Sequence, residues 1–218
     1  MYYTPSEENY IKWIFHLQHN IEKVSTNLLA NTICTKPASV TDMLKKLQTK
    51  KLVNYEKYYG VKLTETGNKI ALDVIRKHRL WEYFLVNKLG FNWTKVHDVA
   101  EHLEHISNKE LINRLDDFLG NPSVDPHGDP IPDQKGKFKT IRQSCLSDVP
   151  MRQYVSVSSI KNQSSQMLDL LSHYNITIGT KIKVIRRFEF DGSAEIKINK
   201  SPLTIVSDQV AKNVYCTI

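Results

Sequence analysis

The chain of 218 residues is poor in cysteine, holding only Cys34, Cys145 and Cys216, odd in number and far apart. They supply neither a disulfide framework nor a thiolate metal cluster, so each reads as a reduced, incidental side chain. No run of about 18 apolar residues occurs, which excludes a transmembrane helix. The first ten residues are polar and acidic and lack the basic-then-apolar order of a signal peptide, so the expected location is the cytoplasm. A glycine-rich phosphate loop, a nucleophile elbow and a His-Glu-x-x-His motif are also missing, although Leu103-Glu104-His105 is superficially close to the last. These absences argue against most catalytic readings.

What is present is an ordinary globular composition, 40% hydrophobic and 24% charged, with the net charge of +7 unevenly placed. Residues 1–72 hold ten lysines against six acidic residues, a net +4. Residues 73–135 hold eight basic and eleven acidic residues, a net −3, and residues 136–218 hold twelve and six, a net +6. A basic segment followed by an acidic, histidine-bearing one suggests an anion-binding module joined to a cation-binding module.

Apolar spacing predicts a helix over residues 10–17 and a short one over 26–33. A third is predicted over 38–49, capped by Thr35, with Pro37 tolerated in its first turn because its missing N–H has no helical partner there. This helix buries Val40, Met43, Leu44 and Leu47. It turns Ser39, Thr41, Asp42, Lys45 and Lys46 outward. Two β-rich runs, 52–59 and 61–64, break at Gly60 as a small hairpin. Helix, turn, helix and hairpin describe a winged helix-turn-helix. In that fold Lys36, Pro37, Ala38, Ser39, Thr41, Asp42, Lys45 and Lys46 lie at the edge that enters a major groove, and Lys57 and Tyr58 lie on the wing near the phosphates. A solvated amphipathic helix has the same pattern.

A long helix is predicted from residues 64–67 to Leu89, then helices over 93–106 and 109–119. Their apolar surface exceeds what the small winged unit covers, so a homodimer interface is expected here. Five of the eight prolines fall in residues 121–150, which reads as an ordered loop passing into a flexible linker. Short strands at 154–157, 181–187, 194–198, 203–206 and 214–218, with one helix near 165–172, describe a small β-barrel.

His78, His97, His102 and His105 crowd into one helical stretch with Glu82, Glu101 and Glu104. Glu101, Glu104 and His105 stand at i, i+3 and i+4, with His97 a turn earlier, while His78 and Glu82 are i, i+4 neighbours on the preceding helix. Imidazole and carboxylate donors without thiolate suit Mn²⁺, Fe²⁺, Zn²⁺ or Co²⁺. A solvated Glu/His face is the competing description.

The chain resembles the diphtheria toxin repressor family of metal-dependent regulators, including its manganese-transport branch. The resemblance rests on Glu8-Asn9-Tyr10-Ile11, Arg76-Lys77-His78-Arg79-Leu80-Trp81-Glu82, Lys95-Val96-His97-Asp98, Glu104-His105 and Pro126-His127-Gly128-Asp129-Pro130-Ile131-Pro132, in family order. It implies a primary site from Asn9, Glu101, Glu104 and His105, and an ancillary site from His78, Glu82 and His97. Gln163 and Gln166 occupy the positions of two further ligands, with Gln163 replacing a family glutamate. Glu101 stands where the iron branch has cysteine and so implies manganese. Asn9 and Lys12 replace acidic residues of the manganese branch.

The implied architecture is mainly α with small β: a winged helix-turn-helix over 1–72, a helical metal-binding and dimerisation domain over 73–140, a linker over 141–152 and an SH3-like (FeoA-type) β-barrel over 153–218. The implied function is a Mn²⁺-dependent repressor acting as a homodimer on a palindromic operator in double-stranded DNA, with Fe²⁺ the alternative and Zn²⁺ or Co²⁺ able to substitute in vitro. No membrane or small organic ligand is expected. Rival readings are a metal-dependent hydrolase using the His/Glu cluster and a metal-independent winged-helix protein.

Overall fold

In a computed structural model, residues 3–19, 21–139, 141–199 and 201–217 are described. Met1, Thr140 and Ile218, which bound expected domains, lie outside them. The chain forms two compact units. One comprises the chain up to His78 with His102–Ile112 and Pro132–Lys137; the other comprises Arg79–Glu101, Asn113–Ile131 and the chain from Phe138 onward.

The first unit opens with α1 (Pro5–Gln18), earlier than apolar spacing alone predicts. Thr4 and Glu7 close a reciprocal capping box and Pro5 takes the first helical position, so local hydrogen bonding sets the start. Next come α2 (Thr26–Thr32) and α3 (Pro37–Thr49). The cap of α3 differs from expectation: Lys36, not Thr35, is the N-cap residue, and no side chain bonds the helix end. Ile11, Ile14, Leu29, Val40, Leu44 and Leu47 form the core that fixes these helices against one another.

Strands β1 (Val53–Glu56) and β2 (Gly60–Leu63) pair antiparallel as the wing, and Val24 bridges to Val61 from the other side. Gly60 has φ +108°, and a Cβ there would lie 2.7 Å from the Val24 carbonyl oxygen, so both the turn and the bridge need glycine. Helix α4 (Glu65–Leu89) gives its first half to this unit and its second half to the other.

In the second unit, α5 (Val96–Leu103) is shorter than the expected 93–106. Glu104 and His105 therefore lie in the turn after the helix instead of on its face. Helix α6 (Lys109–Phe118) follows, its residues up to Ile112 counted in the first unit and the rest in the second. The C-terminal region is a six-stranded antiparallel sheet, ordered β3-β8-β4-β5-β6-β7. Its strands are β3 (Ser144–Cys145), β4 (Tyr154–Ile160), β5 (Lys181–Arg187), β6 (Ala194–Ile198), β7 (Leu203–Val206) and β8 (Val214–Thr217).

Helices α7 (Ser165–His173) and α8 (Asp208–Asn213) place Leu168, Leu171 and Val210 in the core of this sheet. The expected barrel is not closed, since β3 and β7 are edges among the described residues. A two-residue β3 offers too little backbone for a closing ladder. Residues 141–152, read as a linker at the end of the proline-rich, aperiodic stretch, carry β3 and bury Leu146 and Val149 in this core. Among the described residues no helix is long and apolar enough to cross a membrane.

Candidate metal centre and nucleic-acid face

On α3, Lys36, Pro37, Ala38, Ser39, Asp42, Lys45 and Lys46 are exposed, as are Lys57 and Tyr58 at the wing tip. Thr41 is half-buried and its hydroxyl donates to the Pro37 carbonyl. The Lys57 ammonium lies 4.9 Å from the Tyr58 ring centroid, so the tip presents a cation and an aromatic edge together. Glu7 anchors this face from behind: its buried carboxylate meets Lys50 at 2.6 Å and Lys46 at 3.1 Å. Burial alone would raise the Glu7 pKa, but Lys50, the Thr4 amide and Lys46 outweigh it and lower it to about 2.

The next residue begins a buried polar cluster within the same unit. Glu8 Oε2 lies 2.6 Å from His105 Nδ1, and Glu8 Oε1 lies 3.8 Å from the Lys77 ammonium. One turn along α1, Lys12 Nζ donates to Glu104 Oε1 at 2.6 Å. The other oxygen of Glu104 is 2.6 Å from His78 Nδ1, and the Glu104 side chain is fully buried. Burial pushes the Glu104 pKa up, but His78 and Lys12 outweigh it and hold the carboxyl below its ordinary value. Asn9 Oδ1 is buried and accepts no hydrogen bond. An orphaned amide oxygen on the same helix as Glu8, with carboxylates and imidazoles nearby, is the chemistry a hard divalent cation satisfies.

A second group lies wholly in the other unit. Ligand atoms of Glu82, Asp125 and His127, all buried, fall within 4.8 Å of one another. His127 Nε2 is 2.8 Å from the Trp93 carbonyl oxygen, which can only accept, so Nε2 carries the proton. Nδ1 is thereby turned toward Glu82 Oε2 at 3.8 Å, beyond hydrogen-bond range, and is itself buried and unbonded. With Nε2 held by a carbonyl, Nδ1 is the nitrogen a metal would take once any proton on it is released.

Asp125 Oδ1 accepts from the backbone N–H groups of His127 and Asp129, and its Oδ2 faces Arg79 Nε at 3.6 Å. Gly128, at φ +88°, presses on the Ser158 backbone, where any Cβ would overlap the carbonyl oxygen.

The structure thus redistributes the expected ligands. Glu104 and His105 join Glu8, Lys12 and His78, while ligand atoms of His78, Glu82 and His97, the set the resemblance implies for an ancillary site, lie within 4.8 Å of one another. Glu101 faces His97 Nε2 at 3.6 Å, and His97 Nδ1 lies 3.3 Å from Glu82. Gln163 donates to the Ile160 carbonyl, and exposed Gln166 accepts from the Ser165 hydroxyl. Sequence reasoning missed Glu8, Asp125 and His127 as members of these groups. Glu8 was findable as the i−4 neighbour of Lys12; Asp125 and His127 sit in a proline-rich loop where no periodicity signals a shared face.

Comparison with known proteins places the whole chain. Residues 3–61 match the iron dependent repressor N-terminal DNA binding domain, residues 64–133 the iron dependent repressor metal binding and dimerisation domain, and residues 145–218 the FeoA domain. The chain is 36% identical over 117 residues to the uncharacterized HTH-type transcriptional regulator MJ0568 of Methanocaldococcus jannaschii, covering 53% of this chain and 94% of that one. It is 34% identical over 116 residues to the HTH-type transcriptional regulator MntR of Oceanobacillus iheyensis, covering 53% and 78%. A solved manganese-dependent transcriptional repressor in complex with manganese superposes with a TM-score of 0.83 at 33% identity, covering 96% of this chain and 98% of that one.

Proposed function

Because the chain belongs to the iron-dependent-repressor family of metal-dependent transcriptional regulators, we propose that it represses its target genes when loaded with Mn²⁺, as a homodimer on a palindromic DNA operator. The family is one of DNA-binding repressors and not of enzymes, so the hydrolase reading falls away. The observation that carries the proposal is the link within one unit between α1 and the turn after α5, through Glu8–His105 and Lys12–Glu104. Any change of charge at Glu104 or His105 is felt by the helix that packs directly against α3 through Glu7.

Asn9, Glu8, His78, Glu104 and His105 would hold the first cation, while Glu101 lies beside His97. Glu82, Asp125 and His127 would hold a second, with His97 close to Glu82. A bound divalent cation would give these oxygen and imidazole donors a common centre to coordinate. Every donor is oxygen or imidazole nitrogen. Cys34 sits in the α2–α3 turn and Cys145 and Cys216 in the C-terminal sheet, so hard-donor chemistry favours Mn²⁺ or Fe²⁺ over thiophilic ions.

Exposed Leu89, Phe91 and Phe118 offer the second unit an apolar surface for a second copy. Spacing two α3 helices about 34–36 Å apart then lets both enter successive major grooves. Metal and DNA become reciprocally coupled, by typically about 1–3 kcal/mol or roughly 5–150-fold in affinity.

The test uses duplexes selected from a random pool by the Mn²⁺-loaded protein. Stripping the metal with chelator should release the DNA, and Mn²⁺ should restore binding at lower free concentration relative to its cellular level than Fe²⁺ or Zn²⁺. DNA binding that is indifferent to chelator overturns the proposal; restoration by Fe²⁺ but not Mn²⁺ shifts the assignment to iron. Glu101→Ala should abolish metal-dependent binding while the dimer stays folded, and an unchanged metal response in a mobility-shift assay removes Glu101 from the site.

A further inference from the structure

Lys12 stands where a cation site is least expected to hold a lysine. Its side chain is only 5% exposed, and its ammonium is 2.6 Å from Glu104 Oε1 while His78 occupies the other oxygen. Beside it Lys77, equally buried, faces Glu8. The two buried carboxylates Glu8 and Glu104 thus already meet two buried ammonium groups. Lys77 also meets Asp73, at 3.3 Å. A divalent ion on Glu104 adds positive charge next to the buried Lys12 ammonium, a costly arrangement unless that ammonium moves away. Lysine is suited to moving, since its charge rides on a flexible four-carbon stem.

Resting on the metal-dependent reading above, the geometry points to Lys12 as a resident cation that competes with the divalent ion for Glu104. In the metal-free protein it satisfies Glu104 and ties α1 to the turn after α5. On loading, its ammonium must yield Oε1. Lys12 therefore sets the ion concentration at which the site fills, and it is a positioning residue for Glu104 and not a ligand.

The experiment is equilibrium dialysis of the metal-free, full-length protein against Mn²⁺, with thermal melts of the same samples, for wild type, Lys12→Met, Lys12→Gln and Glu104→Gln. The neutral Lys12 variants should bind Mn²⁺ at this site at least about tenfold more tightly, because a like charge within a few ångströms has gone. Their metal-free melting temperature should fall, and Mn²⁺ should raise it by more than it raises that of wild type.

Glu104→Gln combined with Lys12→Met should erase the gain in affinity, which a merely structural lysine would not require. Equal or weaker Mn²⁺ binding by both folded Lys12 variants overturns the inference while leaving the metal site intact. If wild type binds no Mn²⁺ and Glu104→Gln changes nothing, the metal-dependent reading itself fails, and the inference with it.

Discussion

The group around Glu104 and the group around Asp125 are both buried assemblies of carboxylates and imidazoles, yet they balance charge differently. Around Glu104 the counter-charge is covalent: Lys12 and Lys77 bring ammonium groups to Glu104 and Glu8. Around Asp125 the supporting cation is Arg79, shared with Asp129 and with the Pro130 carbonyl, and protons cover the remainder. Burial, Asp129 and Glu82 raise the Asp125 pKa to about 7. For His127, burial opposes the charge, but Glu82 and Asp125 overcome it and raise the pKa to about 9. On the proposed reading, a metal would enter one group by displacing a side chain and the other by releasing protons.

The largest effect expected of any break in this comparison is at Glu104. Glu104→Ala leaves the Lys12 ammonium buried without its carboxylate and should cost about 3–5 kcal/mol of stability, as the loss of one partner of a buried pair does. Urea unfolding of the metal-free protein measures it; a loss below about 1 kcal/mol would mean that Lys12 escapes to water.

Glu7→Gln comes next. The Glu7 pKa is depressed from 4.5 to about 2, so its contribution is fully present above 4.5 and lost as pH falls toward 2. The variant should lose about 2–3 kcal/mol at neutral pH and lack that part of the acid dependence, as read from unfolding at pH 7 and pH 3.

At the Asp125 group, Mn²⁺ uptake should expel protons. Affinity should therefore weaken by up to about tenfold per pH unit from pH 9 to pH 7, where His127 takes up its proton, and more steeply below 7, where Asp125 does too, and calorimetry in buffers of different ionisation enthalpy should show proton release. In a Glu82→Gln variant that release should drop, which separates this group from the one around Glu104.

The smallest effect is expected at the wing. Lys57→Ala should weaken DNA binding only a few-fold on every sequence and lower the salt slope by about 1. A change in sequence preference instead would place Lys57 on base edges.

The elements carrying strong local signals were readable before any coordinates. Apolar periodicity outlined α3, Gly60 marked the wing turn, and the Glu/His-rich stretch falls on α4, α5 and the turn after α5. Weak local signals failed. A two-residue β3 and a six-residue α8 are too short to show a period. The start of α1 was written in Thr4 and Glu7 as a capping box, but apolar spacing alone passes over it. Helical geometry put Glu101, Glu104 and His105 on one face, yet α5 stops at Leu103 and the last two turn toward α1.

Donor chemistry, charge segregation and helix periodicity are properties of neighbours along the chain, so residue order carried an anion-binding module, a hard-donor Glu/His cluster and, through the matched blocks, the family resemblance. Which carboxylate meets which cation is decided by packing. Lys12 and Glu104 are separated by 92 positions, and Glu82 reaches Asp125 and His127 only through the close approach of a proline-rich loop. Burial then makes those pairings matter, because a charge withdrawn from water must be matched by whatever lies within a few ångströms of it.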